Sequence, residues 1–82
     1  MIKLKLVDLL KKMASNVKIN IIKNNALNTT YIVRNKEVQY FFDNVYSKEY
    51  NNYIVDKIYL SRNKILTISV LEGGNSCYGK MY

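Results

Sequence analysis

The sequence predicts an α+β domain in the order αββαββ, with two helices on one face of a four-stranded, mainly antiparallel sheet. Three observations carry this reading. Apolar residues recur at helical spacing near the start of the 82-residue chain and again in its middle. Each helical stretch is followed by two β-branched runs that alternate apolar and polar residues. Short segments of Asn, Ser and other turn-forming residues separate those runs.

The first element is a helix over about residues 4–14. Leu6, Leu9, Leu10 and Met13 fall at i, i+3, i+4 and i+7, with Ile2 one turn earlier. Lys5, Asp8, Lys11 and Lys12 take the opposite side, and lysines in the last turn suit the negative end of the helix dipole. Ser15-Asn16 is the stop. Ile2 to Leu6 also alternates like a strand, although from Leu4 onward the helical period fits better. Val17 to Lys23 then alternates, with Val17, Ile19 and Ile21 on one side and Lys18 and Asn20 on the other. Asn24 to Asn28 is turn-rich, and Thr29 to Arg34 is a second β-rich run, so 17–34 reads as a hairpin.

From Asn35 the period returns to helical. Val38, Phe41, Phe42, Val45 and Tyr46 share one face, which predicts a helix over about 36–48. Asn35 suits the N-cap, and Glu37 the positive dipole end. Residues 49–52 connect to a second hairpin, 53–60 and 65–71 around the loop Ser61-Arg-Asn-Lys64. In it Ile54, Ile58 and Leu60 would meet Leu66, Ile68 and Val70. One domain over 1–72 is expected. The segment 73–82 holds all three glycines without periodicity and reads as a flexible C-terminal tail.

Composition excludes more than it assigns. There is no His, Pro or Trp and one Cys. That removes the usual general base and metal ligand, and with them Ser-His-Asp, Cys-His and His-zinc chemistry. A single cysteine forms neither an internal disulfide nor a CxxC site. The net charge of +7 rests on 11 Lys and 2 Arg. Ile, Lys, Asn and Tyr number 9, 11, 11 and 8, so AT-rich coding explains much of the lysine. Dedicated phosphate or base readers favour the planar fork of Arg. The basic excess falls in residues 1–23, with six lysines and one acid. No secretory segment and no apolar run of membrane-spanning length is present, so a cytoplasmic location is expected.

Three features of the sequence bear on chemistry. Gly74 to Lys80 matches GxxxxGK, the front of a P-loop, but Met81 stands where Ser or Thr would hold Mg²⁺. No strand-helix unit surrounds it, and the match is a coincidence. Cys77 lacks a base to make it a thiolate nucleophile. Asp8, Glu37, Asp43, Glu49, Asp56 and Glu72 are dispersed and read as solvated charge. The chain is therefore expected to have no catalytic residue, no metal and no cofactor.

The eight tyrosines are more informative. Strict alternation puts Tyr53, Val55, Lys57 and Tyr59 on one side of the third strand, with Tyr31 and Val33 alongside in the second. If the helices cover the other side, this face is exposed and tyrosine-rich. It would stack bases or form a protein interface, where Tyr is enriched.

Lys5-Leu-Val-Asp-Leu-Leu-Lys-Lys-Met13 followed by Val17-Lys-Ile-Asn-Ile-Ile22, with Val55-Asp-Lys-Ile-Tyr59 and Ile65-Leu-Thr-Ile-Ser-Val70, resembles a group of small phage and prophage proteins of AT-rich, low-GC bacteria. The resemblance covers about residues 4–71 in its core pattern and carries no activity motif. It implies a mobile element, and such elements carry small inhibitors of host defence, anti-CRISPR proteins among them, that act by binding. The expectation is a non-enzymatic phage or prophage accessory protein in the bacterial cytoplasm. It would bind a host protein, such as a defence nuclease complex, through Tyr53, Lys57 and Tyr59 with Arg62 nearby. The alternative is a nucleic-acid or nucleotide binder using Lys5, Lys11, Lys12 and Lys18 together with the sheet tyrosines. A homodimer through an edge strand or the tyrosine face is compatible with both.

Overall fold

A computed structural model of the chain describes residues 4–24 and 28–72. In order these form α1 (Leu6–Lys11), β1 (Lys18–Asn24), β2 (Thr29–Glu37) and α2 (Val38–Tyr40), which runs on into a π-helical turn, Phe41–Val45. A 3-10 helix (Lys48–Asn52), β3 (Ile54–Leu60) and β4 (Leu66–Leu71) follow. The tail expected at 73–82, Cys77 included, lies outside the described residues, as does the middle of the 24–28 turn.

The sheet order is β2-β1-β4-β3. β1 pairs antiparallel with β2, β3 antiparallel with β4, and the central strands β1 and β4 run parallel. The sheet is mixed, which corrects the mainly antiparallel expectation. Alternation and a short turn fix the pairing inside each hairpin, but nothing local says how two hairpins join. Here residues 38–52 carry the chain from one sheet edge to the other, so β3 runs in the same direction as β2 and the inner strands meet parallel.

The core lies on one face of the sheet. Ile19 and Ile21 of β1, Val33 of β2, and Ile68 and Val70 of β4 pack against Leu6, Leu10, Val38, Phe41 and Tyr53. Phe41 is fully buried. Its ring meets Phe42, Tyr46 and Tyr50 edge-on at 5.3, 6.1 and 5.4 Å between centroids, the geometry favoured by aromatic quadrupoles.

Both helices are shorter than their periodicity predicted, for identifiable reasons. Leu4 and Lys5 are extended: Lys5 bridges Ile54, Val55 N donates to Leu4 O at 2.8 Å, and Leu6 N donates to Tyr53 O at 3.0 Å. Leu4 and Lys5, part of the strand-like stretch, thus pair with the β3 edge. At α2, β2 continues through Glu37, and Asn35 stays in the strand at φ 54° instead of capping the helix. The first amides of the helix find backbone partners: Val38 N donates to Val17 O at 2.9 Å and Gln39 N to Ser15 O at 3.0 Å. Tyr46 N donates to Phe41 O at 2.8 Å, the i to i+5 closure of the π turn. Tyr46, expected inside, is left exposed.

β3 departs furthest from strict alternation. Val55 pairs with Val70, but Lys57 pairs with Ser69, so Asp56 is an inserted bulge residue. The insertion puts Val55 on the core side with Val70, and Lys57 and Tyr59 on the opposite face with Ser69 and Thr67. Ile58 and Leu60 share the helix-bearing face but lie past the reach of the helices, leaving Leu60 64% exposed. Ile58 meets Ile68 and Leu60 meets Leu66 without the expected burial of Ile58 and Leu60, and Ile54, expected with them, pairs with Leu71 on the other face.

Candidate binding face

The second face of the sheet follows from the pairings. Across it stand Tyr31 of β2, then Asn24, Ile22 and Asn20 of β1, then Ser69 and Thr67 of β4, and finally Lys57 and Tyr59 of β3. Among the described residues no helix lies over it, because α1, α2 and the 3-10 helix all contribute to the core on the other side.

Its middle is polar and internally bonded. Asn20 Nδ2 donates to Thr67 Oγ1 at 3.1 Å, and Asn20 Oδ1 accepts from Asn35 N at 2.8 Å. Thr67 Oγ1 donates to Ile65 O at 3.1 Å. Further along, Asn24 Nδ2 donates to Ser69 Oγ at 2.9 Å, and Thr29 Oγ1 to Asn24 Oδ1 at 2.7 Å. Asn20, Thr67 and Ser69 are buried, and among the described residues no buried side-chain N or O lacks a partner. A face meant to receive a helix would present apolar side chains here. This one presents a floor of polar side chains whose hydrogen bonds are met, around the single buried apolar side chain of Ile22.

Aromatic and cationic groups flank the floor. Tyr31 is 50% and Tyr59 45% exposed, and Lys57 is exposed beside Tyr59. The Arg34 guanidinium lies over the Tyr31 ring at 5.0 Å, a cation–π contact. Two irregularities in the β1–β2 register bring these residues together, one between Ile21 and Ile22 and one between Ile19 and Ile21. The second places Arg34 and Asn35 opposite Asn20.

At that end of the sheet a cleft of about 430 Å³ opens, lined by Asn20, Tyr31, Arg34, Asn35, Ser61, Arg62, Asn63 and Ile65. The β3–β4 turn forms one wall. It is braced by Ser61 N to Ile65 O at 3.0 Å, Lys64 N to Ser61 O at 2.8 Å and Ile65 N to Ser61 Oγ at 3.3 Å. The chain's two arginines both line this cleft, and no acidic residue does. All six acidic side chains lie within the described residues, where the one ion pair is Lys23 Nζ to Glu72 Oε1 at 3.2 Å. A second hollow of about 290 Å³ adjoins it through Asn35 and is lined by Lys18, Lys36, Glu37 and Tyr40. There Lys36 Nζ sits 5.1 Å from the Tyr40 ring.

The structure sorts the predicted residues. Lys57 and Tyr59 are on the open face, and Arg62 is in the cleft at its end. Tyr53 is not with them: it is 7% exposed and packs in the core, its ring 4.9 Å from Tyr50. The Asp56 bulge is the cause, because it breaks the alternation that had grouped Tyr53 with Tyr59. Val33, expected beside Tyr31, is likewise buried in the core. Of the N-terminal lysines, Lys18 lines the second hollow. Lys5 pairs with the β3 edge, and Lys11 and Lys12 are exposed at the end of α1 in the helical layer. Arg34, Asn35 and Asn20 were missed. Their signal was the rarity of arginine, but only the fold shows that Arg34 and Arg62 share a cleft.

The resolved pKa shifts fall in the helical layer and at its rim. The hydrogen bond to Glu72 raises the Lys23 ammonium above its ordinary range, against a smaller lowering by burial. Burial raises the Tyr50 phenol, with Tyr53 and Glu49 adding to the shift. Among the described residues no three His, Cys, Asp or Glu side chains cluster as a metal would require. No helix there is long and apolar enough to cross a membrane. No protein-family model, curated protein or solved structure matches the chain.

Proposed function

We propose that this chain is a non-catalytic binding protein whose working surface is the open sheet face, and that the face takes single-stranded nucleic acid. One observation carries the reading: both arginines, drawn from β2 and from the β3–β4 turn, line one acid-free cleft with exposed Tyr31, and exposed Tyr59 stands on the same sheet face. Bases stack on tyrosine at roughly 1–3 kcal/mol each without regard to sequence. Lys57, Arg34 and Arg62 supply the phosphate contacts, and the net charge of +7 favours encounter with a polyanion. This moves the nucleic-acid reading from the α1 lysines to the sheet, with Lys18 at its margin.

A second reading keeps the phage context and a host-protein target. It draws on Leu71, which is 46% exposed two residues beyond Ser69 on the same face. Nucleic acid has no need of that apolar contact, whereas exposed apolar surface beside tyrosines suits a protein partner.

The test is fluorescence anisotropy with a labelled oligothymidylate about 16 nucleotides long, near the upper site size of a small single-strand binder. Binding is expected at low salt and should fall steeply as salt rises. The Tyr31→Ala/Tyr59→Ala double variant should bind roughly tenfold or more weakly. No binding at low salt, or a double variant equal to wild type, would overturn the nucleic-acid reading.

A further inference from the structure

The cleft invites a more specific assignment than the open face as a whole. We infer that it holds a phosphate monoester, either of a free nucleotide or of the phosphorylated end of a strand. The inference rests on the reading of the sheet face as a nucleic-acid surface and names the group that seats at one end of it.

Charge is the first argument. Arg34 and Arg62 line the cleft without an acidic neighbour, and every acidic side chain of the chain is placed elsewhere. Two guanidiniums facing one hollow repel each other, and an anion between them removes the cost. Coding bias deepens the point. It favours lysine throughout, with 11 Lys to 2 Arg, yet the two arginines present converge here.

Valence is the second argument. Each guanidinium offers a rigid fork of N–H donors that matches phosphate oxygens two at a time. A monoester has three terminal oxygens and nearly two charges at neutral pH, enough for two forks. An internal diester has two free oxygens and one charge, and a carboxylate the same, so each brings one oxygen fewer and about half the charge to the two forks.

Preorganisation is the third argument. The Arg34 guanidinium lies over the Tyr31 ring at 5.0 Å, and the turn that carries Arg62 is closed by its own hydrogen bonds. Asn20, at the floor, is buried and already bonded to both Thr67 and Asn35. The Asn20 floor and the turn backbone are therefore held before a ligand arrives, which reduces the ordering cost of binding. The amide groups of Asn35 and Asn63 remain beside the phosphate position for the sugar or base.

The experiment is a series of amide ¹H–¹⁵N titrations of the full chain with thymidine 5′-monophosphate, thymidine, and oligothymidylate with and without a 5′-phosphate. Saturable movement of the Arg34, Asn35, Arg62 and Asn63 signals is expected with the monophosphate and not with thymidine. Arg34→Ala and Arg62→Ala should each weaken monophosphate binding roughly tenfold or more. Lys11→Ala should leave it unchanged, and Arg34→Lys, which keeps the charge and loses the fork, should fall between. Dispersed spectra of the variants establish that they fold. A phosphorylated strand binding more tightly than both its unphosphorylated form and the mononucleotide assigns the cleft to strand ends. A mononucleotide binding as tightly as the phosphorylated strand assigns it to free nucleotides.

Cleft signals that do not move with the monophosphate, or that move equally in Arg62→Ala, would overturn the inference. Tyrosine-dependent oligonucleotide binding with unmoved cleft signals would reject the cleft and keep the open face. Monophosphate binding without oligonucleotide binding would do the reverse.

Discussion

Tyr53 and Tyr59 flank the same short stretch of chain, yet one is 7% and the other 45% exposed. At the scale of residues, the sequence identified both as notable and had no means of separating them. Side-chain direction in a strand follows a period of two, and one inserted residue reverses it for everything beyond. Asp56 carries no sign of being that residue. Ile19, Ile21, Ile68 and Val70 were legible as core because β1 and β4 are central strands with a helix layer above. Tyr50 and Lys23 make a prediction at this scale. The folded state holds the protonated form of each above its ordinary pKa of 10.0 and 10.5. Both therefore contribute stability that is complete below about pH 10 and lost as pH rises through the folded values. The denaturant midpoint should fall as pH rises from about 10 to 12, and less steeply in Tyr50→Phe. A midpoint unchanged over that range would contradict the assignment.

At the scale of elements, what was legible is what neighbours in sequence decide. The two hairpins follow from alternating runs around turn-rich segments, and the helical stretches from their 3.6 period. Their ends were not legible, because partners distant in sequence set them. Ser15 and Val17 carbonyls cap α2, and Tyr53 and Val55 hold Leu4 and Lys5 out of α1 and on the β3 edge. The parallel join of β1 and β4 is likewise a product of the crossing connection. Phe41 is the keystone of that connection, fully buried where the α-helix changes to the π turn and edge-on to three other rings. Phe41→Ala should cost about 3–5 kcal/mol, against a total of about 4–12 kcal/mol for a domain this size. Thermal or denaturant unfolding of the variant measures this. A loss below about 1 kcal/mol would show that the aromatic cluster is not what ties 38–52 to the sheet.

At the scale of the whole molecule, the fold divides chemistry between two faces. Apolar and aromatic groups gather under the helices, and a bonded polar floor flanked by Tyr31, Tyr59, Lys57 and the two arginines is left on the other side. The sequence placed the charge correctly by count and misleadingly by position. Its basic excess lies in residues 1–23, but Lys11 and Lys12 stand in the helical layer, away from the cleft. The charges that share a site come from residues 34 and 62, and no local pattern joins them. The central claim is that the open sheet face is the binding surface. Mapping the amide shifts caused by an unphosphorylated oligothymidylate tests it most directly. Perturbation of Asn20, Ile22, Tyr31, Lys57, Tyr59 and Thr67, with α1 (Leu6–Lys11) unmoved, is the predicted result. Shifts confined to α1 and its lysines, or none at all, would contradict it.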